Sequence, residues 1–182
     1  MINKKIIITG GPGSGKTEII NELEKRGYHV KHEIVRVLYK KGKNKGVNAF
    51  KDDPLGFTNK LVDYRINQFY SCSELNYNSN KPYIFFDRGI HDSFAYLNFL
   101  KKKHDYQKII CSFSYDFVFI LNPWEKIYIK DNERMESFKD SKKLFNYIKL
   151  IYKEAKIKTK IIMNDSVKNR VDYIISYLNN IK

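Results

Sequence analysis

Short apolar runs rich in β-branched and aromatic residues alternate along this chain with longer stretches whose apolar residues recur at helical spacing. Lys4-Lys5-Ile6-Ile7-Ile8-Thr9 reads as a buried parallel strand. Tyr28-His29-Val30-Lys31, Pro82-Tyr83-Ile84-Phe85-Phe86, Asp116-Phe117-Val118-Phe119-Ile120-Leu121 and Thr159-Lys160-Ile161-Ile162-Met163 read as further strands. Between them, Ile19, Ile20 and Leu23 mark one helix, closed by Gly27, and Ile34, Val35, Val37 and Leu38 a second. A long helix opens at Pro54, with Asp52 or Asp53 near its cap, and carries Leu55, Leu61, Val62, Ile66, Phe69 and Tyr70. Phe94, Leu97 and Leu100 mark the next. Another leads out of Glu133-Arg134-Met135-Glu136 and runs to about Lys156. The last, capped by Ser166 or Asp165, turns Val167, Val171, Ile174, Ile175 and Leu178 to the core. Residues 40–53, 76–80 and 124–132 carry no clear period and read as loops. The pattern predicts an α/β architecture, a parallel sheet flanked by helices, in one domain over residues 1–182.

The first strand leads into Gly10-Gly11-Pro12-Gly13-Ser14-Gly15-Lys16-Thr17, which fits G-x-x-x-x-G-K-[ST] at every required position. Glycines let the backbone wrap a triphosphate with its N–H groups pointing inward. Lys16 supplies a compact positive charge to the β- and γ-phosphates. The Thr17 hydroxyl is a ligand for Mg²⁺ bridging them. The following helix aims its positive end at the same charge. Strand, glycine loop and helix in this order are the context that such a loop needs.

Composition narrows the picture little. Of the 182 residues 42% are hydrophobic and 15% aromatic, so the chain is globular and not disordered. No apolar run reaches the length of a membrane span, and the N-terminus runs straight into a strand without the pattern of a signal peptide. Cys72 and Cys111 lack metal-ligand spacing, which fits a reduced, cytoplasmic protein. The net charge of +14 raises a nucleic-acid partner. The lysines, however, spread along the whole chain, with a run only at Lys101-Lys102-Lys103, as solvated surfaces do.

Arginine is scarce against lysine: Arg26, Arg36, Arg65, Arg88, Arg134 and Arg170. A lysine-biased chain has reason to keep arginine where planar, bidentate phosphate contact matters. Ligands gather at the carboxyl ends of strands in open α/β sheets, which makes Glu33 and Arg36 candidates after the second strand. Arg65 and Gln68 share a face of the long helix. Asp87-Arg88-Gly89 ends the third strand. An acid there can hold Mg²⁺ through water or take the proton of a substrate hydroxyl. Arg88 occupies the place where an ATP-driven motor of the AAA+ type would carry its water-activating glutamate, which favours phosphoryl transfer over hydrolysis. Arg134, on the segment before a helix, could close over phosphates as an internal arginine finger.

Together ITGGPGSGKT, FFDRG, FILNPWEKIY and KDNERMESF, in this order, resemble the small AAA-type P-loop domain of NadR-like proteins, a family similar in fold to nucleoside and nucleotide kinases. The resemblance spans nearly the whole chain. It implies a three-layer P-loop NTPase fold with a small helical lid, binding ATP or GTP with Mg²⁺ at Gly10–Thr17, with Thr17 and Asp87 toward the metal. By analogy with deoxynucleoside kinases it places Glu33 at the acceptor hydroxyl and Arg65 and Gln68 around the acceptor, where Arg36, a candidate from its place after the second strand, is also expected. Arg88 supports acceptor or phosphates and Arg134 closes over them.

The expected function is therefore a kinase-like transfer of the γ-phosphate of Mg·ATP to a small hydroxyl acceptor such as a nucleoside, with Glu33 or Asp87 taking the proton. The rival reading is a nucleotide-dependent binding module or switch with slow hydrolysis and a protein or membrane partner. Signatures of a Ras-like switch speak against that version: no Asn-Lys-x-Asp follows a strand, and Asp53-Pro54-Leu55-Gly56 matches Asp-x-x-Gly only after a polar loop. Binding of nucleic-acid ends is a third reading, suggested by charge alone.

Overall fold

A computed structural model describes residues 3–35, 53–76, 78–128 and 137–181. Five parallel strands form one sheet: β1 (Lys4–Gly10), β2 (His29–Lys31), β3 (Tyr83–Asp87), β4 (Phe117–Leu121) and β5 (Thr159–Ile162), in the order β2-β3-β1-β4-β5. Parallel neighbours need crossovers, and helices supply them. These are α1 (Lys16–Lys25), α2 (Pro54–Tyr70), α3 (Ile90–Phe99), α4 (Gln107–Ser112), α5 (Phe138–Glu154) and α6 (Val167–Asn180). Short 3₁₀ turns occupy Ser71–Glu74 and Glu125–Ile127.

The period of two in each strand sorts its side chains to opposite faces. Ile6, Ile8, Phe85, Phe117 and Phe119 pack against Ile19, Ile20 and Leu23 of α1 and Val171, Ile174 and Leu178 of α6. Ile7, Ile84, Phe86, Val118 and Ile120 face the other way, onto Val62 of α2, Phe94 and Leu97 of α3, and Leu144, Ile148 and Ile151 of α5. The result is three layers with β1 at the centre, paired with β3 on one side and β4 on the other.

Helix ends follow the expected chemistry. Asp53, not Asp52, caps α2, and its Oδ1 accepts from the Gly56 N–H at 2.9 Å. The Asp-x-x-Gly spacing here is thus a helix cap. Ser166 caps α6 by accepting from the Asn169 N–H. The helix expected from Glu133 is described from Phe138, capped by Ser137, and ends at Glu154. The short helix α4 was not expected; its six residues hold little period, and Ile110 is its buried anchor. The helix foreseen around Ile34–Leu38, and the lid with Arg134, lie mostly or wholly outside the described residues.

Candidate active site

The carboxyl ends of the strands open into a cleft of about 700 Å³. Its floor is the loop between β1 and α1. Gly13 and Gly15 adopt left-handed backbone, with φ of 71° and 84°. A β-carbon at Gly13 would come within 2.7 Å of the Tyr128 ring, and one at Gly15 within 2.9 Å of Nη2 of Arg170, so both positions need glycine for space as well as conformation. The Ser141 hydroxyl of α5 donates to the Pro12 carbonyl at 2.9 Å and ties the loop to that helix.

Lys16 begins α1 and its side chain turns back into the loop. Nζ donates to the carbonyls of Gly10 at 3.0 Å and Gly11 at 2.9 Å, and lies 3.3 Å from the Ser14 hydroxyl. Burial, then the charge of Arg88, lowers its pKa to about 7, against the pull of Asp87, Glu33 and Asp92. An ammonium held only by carbonyls and a hydroxyl has strong reason to meet an anion.

Across the cleft, Glu33 follows β2 by two residues and Asp87 ends β3. Glu33 Oε2 lies 2.6 Å from Nε of Arg88, and Oε1 lies 3.2 Å from Nη2 of Arg65. Arg65 is almost wholly buried on α2 and also donates to the Ser93 hydroxyl at 2.7 Å. Arg88 has a left-handed φ of 73°, uncommon for a side chain of its size, and this turn aims its guanidinium at Glu33. Asp87 is buried, and its Oδ1 has no hydrogen-bond partner. Burial, then the Glu33 charge, raises its pKa to about 6, while Lys16, Arg88 and Arg65 pull it down.

The sequence reading missed the residue that ties these parts together. Asp92 is buried in the first turn of α3. Its Oδ2 accepts from the Gly89 N–H at 2.8 Å and the Tyr152 hydroxyl at 2.6 Å. Its Oδ1 accepts from the Thr9 hydroxyl and lies 3.7 Å from Nη1 of Arg88. Burial raises its pKa, but Arg88, Arg65 and the hydroxyls of Thr9 and Tyr152 outweigh it, leaving the carboxyl below its ordinary value. A signal existed: an aspartate at the third position of a helix that opens directly after Asp87-Arg88-Gly89, the place of a capping box.

Of the remaining candidates, Gln68 does not line the cleft; its amide donates to the His32 carbonyl at 3.1 Å and steadies the end of β2. Arg36 and Arg134 lie outside the described residues. Arg26 pairs with Glu22 and Asp172 on the surface. Arg170, to which the sequence reading gave no role, lines the cleft instead. Among the described residues no group of His, Cys, Asp or Glu forms a metal cluster, and no helix is long and apolar enough to cross a membrane.

The structure is similar to that of deoxyadenosine kinase from M. mycoides with bound dATP, at 21% identity and a TM-score of 0.68, covering 96% of this chain and 99% of that one. It is also similar to thymidylate kinase from Candida albicans, at 14% identity and a TM-score of 0.70 over 98% and 92%. Thymidylate kinase from Ehrlichia chaffeensis matches at 15% identity and 0.66 over 98% and 100%. At these identities the likeness shows a shared P-loop kinase fold. No curated protein matches the sequence. A family of AAA domains matches residues 5–170, nearly the whole chain and all of the cleft-lining residues named above, and the chain belongs to that family.

Proposed function

We infer that the protein is a kinase that moves the γ-phosphate of ATP to the hydroxyl of a small acceptor, a nucleoside by the likeness to deoxyadenosine kinase. The observation that carries this reading is the facing of two sets of residues across one cleft. The loop with Lys16 and Thr17 is on one side, and Glu33, Arg65, Asp87 and Arg88 are on the other. A slow hydrolytic switch has no use for a carboxylate held by two guanidiniums beside the phosphate loop.

The backbone N–H groups of the loop bind the phosphates, and Lys16 exchanges its carbonyl partners for phosphate oxygens. Glu33, oriented by Arg65 and Arg88, receives the proton of the acceptor hydroxyl. The acceptor oxygen bonds to the γ-phosphorus as the bond to the β–γ bridging oxygen breaks, and ADP leaves with that electron pair. Lys16 and Arg88 meet the charge that develops. The wall formed by Phe57, Leu61 and Tyr96 offers an apolar face to a flat base.

Mg²⁺ fits the residues present. The orphaned, buried Oδ1 of Asp87 and the Thr17 hydroxyl are hard oxygen donors, and magnesium needs few of them because it keeps water and phosphate oxygens. Bound there, it would neutralise phosphate charge.

The test is transfer of label. Protein incubated with γ-labelled ATP and a panel of ribo- and deoxynucleosides should place the label on one nucleoside as its 5′-monophosphate. Label released only as inorganic phosphate, at a rate no nucleoside changes, would overturn the reading.

A further inference from the structure

Arg170 sits in the first turn of α6, 4% exposed, with its guanidinium against the phosphate loop. Nη1 donates to the Ser14 carbonyl at 3.0 Å. The guanidinium carbon lies 5.4 Å from the centre of the Trp124 ring, a cation–π contact. Nε is buried without a hydrogen-bond partner. Burial lowers the pKa of the group; Asp165 acts against this, but Arg170 forms no ion pair with any described residue. A guanidinium this far out of water, with one carbonyl and a ring face for company, lacks the counter-ion that buried charges need. It also lines the cleft, so a ligand can supply one.

The sheet order says which part of the ligand that is. Glu33, Asp87 and Arg88 stand at the ends of β2 and β3, on one side of β1. Trp124 and Arg170 follow β4 and β5, on the other. A donor that points its γ-phosphate at Glu33 must lay its nucleoside end toward Trp124. The phosphate nearest Arg170 is then the one attached to the nucleoside.

We propose that Arg170 is a nucleotide-binding residue that takes the α-phosphate of the donor as its counter-ion while its Nη1 keeps the loop in shape through the Ser14 carbonyl. This rests on the donor orientation given above. Lys16 and Arg170 thus divide the phosphate chain, the lysine at the transferring end and the arginine at the nucleoside end.

Trp124 is the only tryptophan of the chain, so its fluorescence reports binding at this end of the cleft. Titration of wild type and Arg170→Met with ATP, ADP, AMP and adenosine tests the assignment without any acceptor or turnover. A charge-assisted hydrogen bond contributes enough that Arg170→Met should weaken ATP, ADP and AMP by about 10- to 100-fold each and leave adenosine within about threefold. A loss confined to ATP and ADP, with AMP unchanged, would overturn the proposal, because Arg170 would then only brace the loop that holds the outer phosphates. An equal loss for adenosine would overturn it as general damage to the site. Wild type that binds none of these nucleotides would overturn the kinase reading itself. Wild type that binds ATP as tightly as Arg170→Met does would overturn this assignment alone.

Discussion

Nε of Arg88 lies 2.6 Å from Oε2 of Glu33, joining the end of β2 to the turn after β3. Both side chains are mostly buried, at 17% and 18% exposure, so losing one leaves the other charged and poorly solvated. Arg88→Met should destabilise the protein by about 3 kcal/mol, toward the low end for a buried pair. Glu33→Gln should cost less, because its single amide oxygen still accepts from one of the two guanidiniums, although the amide NH2 then faces the other. The double variant should fall short of the sum by about 0.5–3 kcal/mol, as for residues in direct contact. Urea unfolding of the four proteins checks this, and strict additivity would mean that the pair is not coupled.

Asp92 is the deeper structural tie. Its carboxylate holds β1 through Thr9, α5 through Tyr152 and the β3–α3 turn through Gly89. Asp92→Asn removes one acceptor and leaves hydroxyl donors facing an amide, and should cost about 3–5 kcal/mol. Tyr152→Phe deletes one hydrogen bond and should cost about 1–2 kcal/mol. If both cost the same in thermal denaturation, the carboxylate is not the shared centre of the cluster.

Lys16, to which the proposed function gives the phosphates, is buried at a cost to the fold. Its burial disfavours the charged ammonium, which holds only carbonyls and a hydroxyl before a phosphate arrives. Lys16→Met should therefore be at least as stable as wild type at pH 6. Yet it should lose most of the rise in Tm that saturating ATP gives wild type. A variant that unfolds at markedly lower temperature without nucleotide would contradict this.

His91 sets an acid limit. It is fully buried, its Nε2 faces the Ile110 carbonyl at 2.9 Å, and it packs on the rings of Tyr115 and Tyr152. Burial lowers its pKa, against the carbonyl bond and Asp92. The unfolded chain then takes the proton first as pH falls. Stability from this group is present above its ordinary value near 6.5 and declines as pH drops through that value toward the lower folded one. Denaturation midpoints between pH 7.5 and 5 should fall less steeply for His91→Gln than for wild type, and parallel slopes would contradict this.

Much of the fold could be read from the chain because each level of the sequence agrees. Ile6 to Ile8 alternate between two helical layers, and Ile19, Ile20 and Leu23 form one stripe. The loop was legible because bonding to phosphates fixes its residue types locally. What escaped were contacts made by tertiary meeting. Asp92 looks like an ordinary first-turn acid until Thr9 and Tyr152 close on it from sequence positions far away. Arg170 shares the apolar stripe of α6 with Ile174 and reads as a surface charge until Trp124 and the Ser14 carbonyl cover it. Gln68 shows the opposite failure: helical spacing put it beside Arg65, but only Arg65 is turned into the cleft.

Glu33 is proposed to serve an acceptor hydroxyl and not water. The most direct measurement is the rate of ADP formation from Mg·ATP with and without each nucleoside of a panel, in wild type and in Glu33→Gln. One nucleoside should raise the wild-type rate well above its basal value, and Glu33→Gln should lose this increment by about 10²- to 10⁴-fold while its basal rate and ATP affinity stay within a few fold. A wild-type rate that no nucleoside changes, or a full increment in Glu33→Gln, would contradict it.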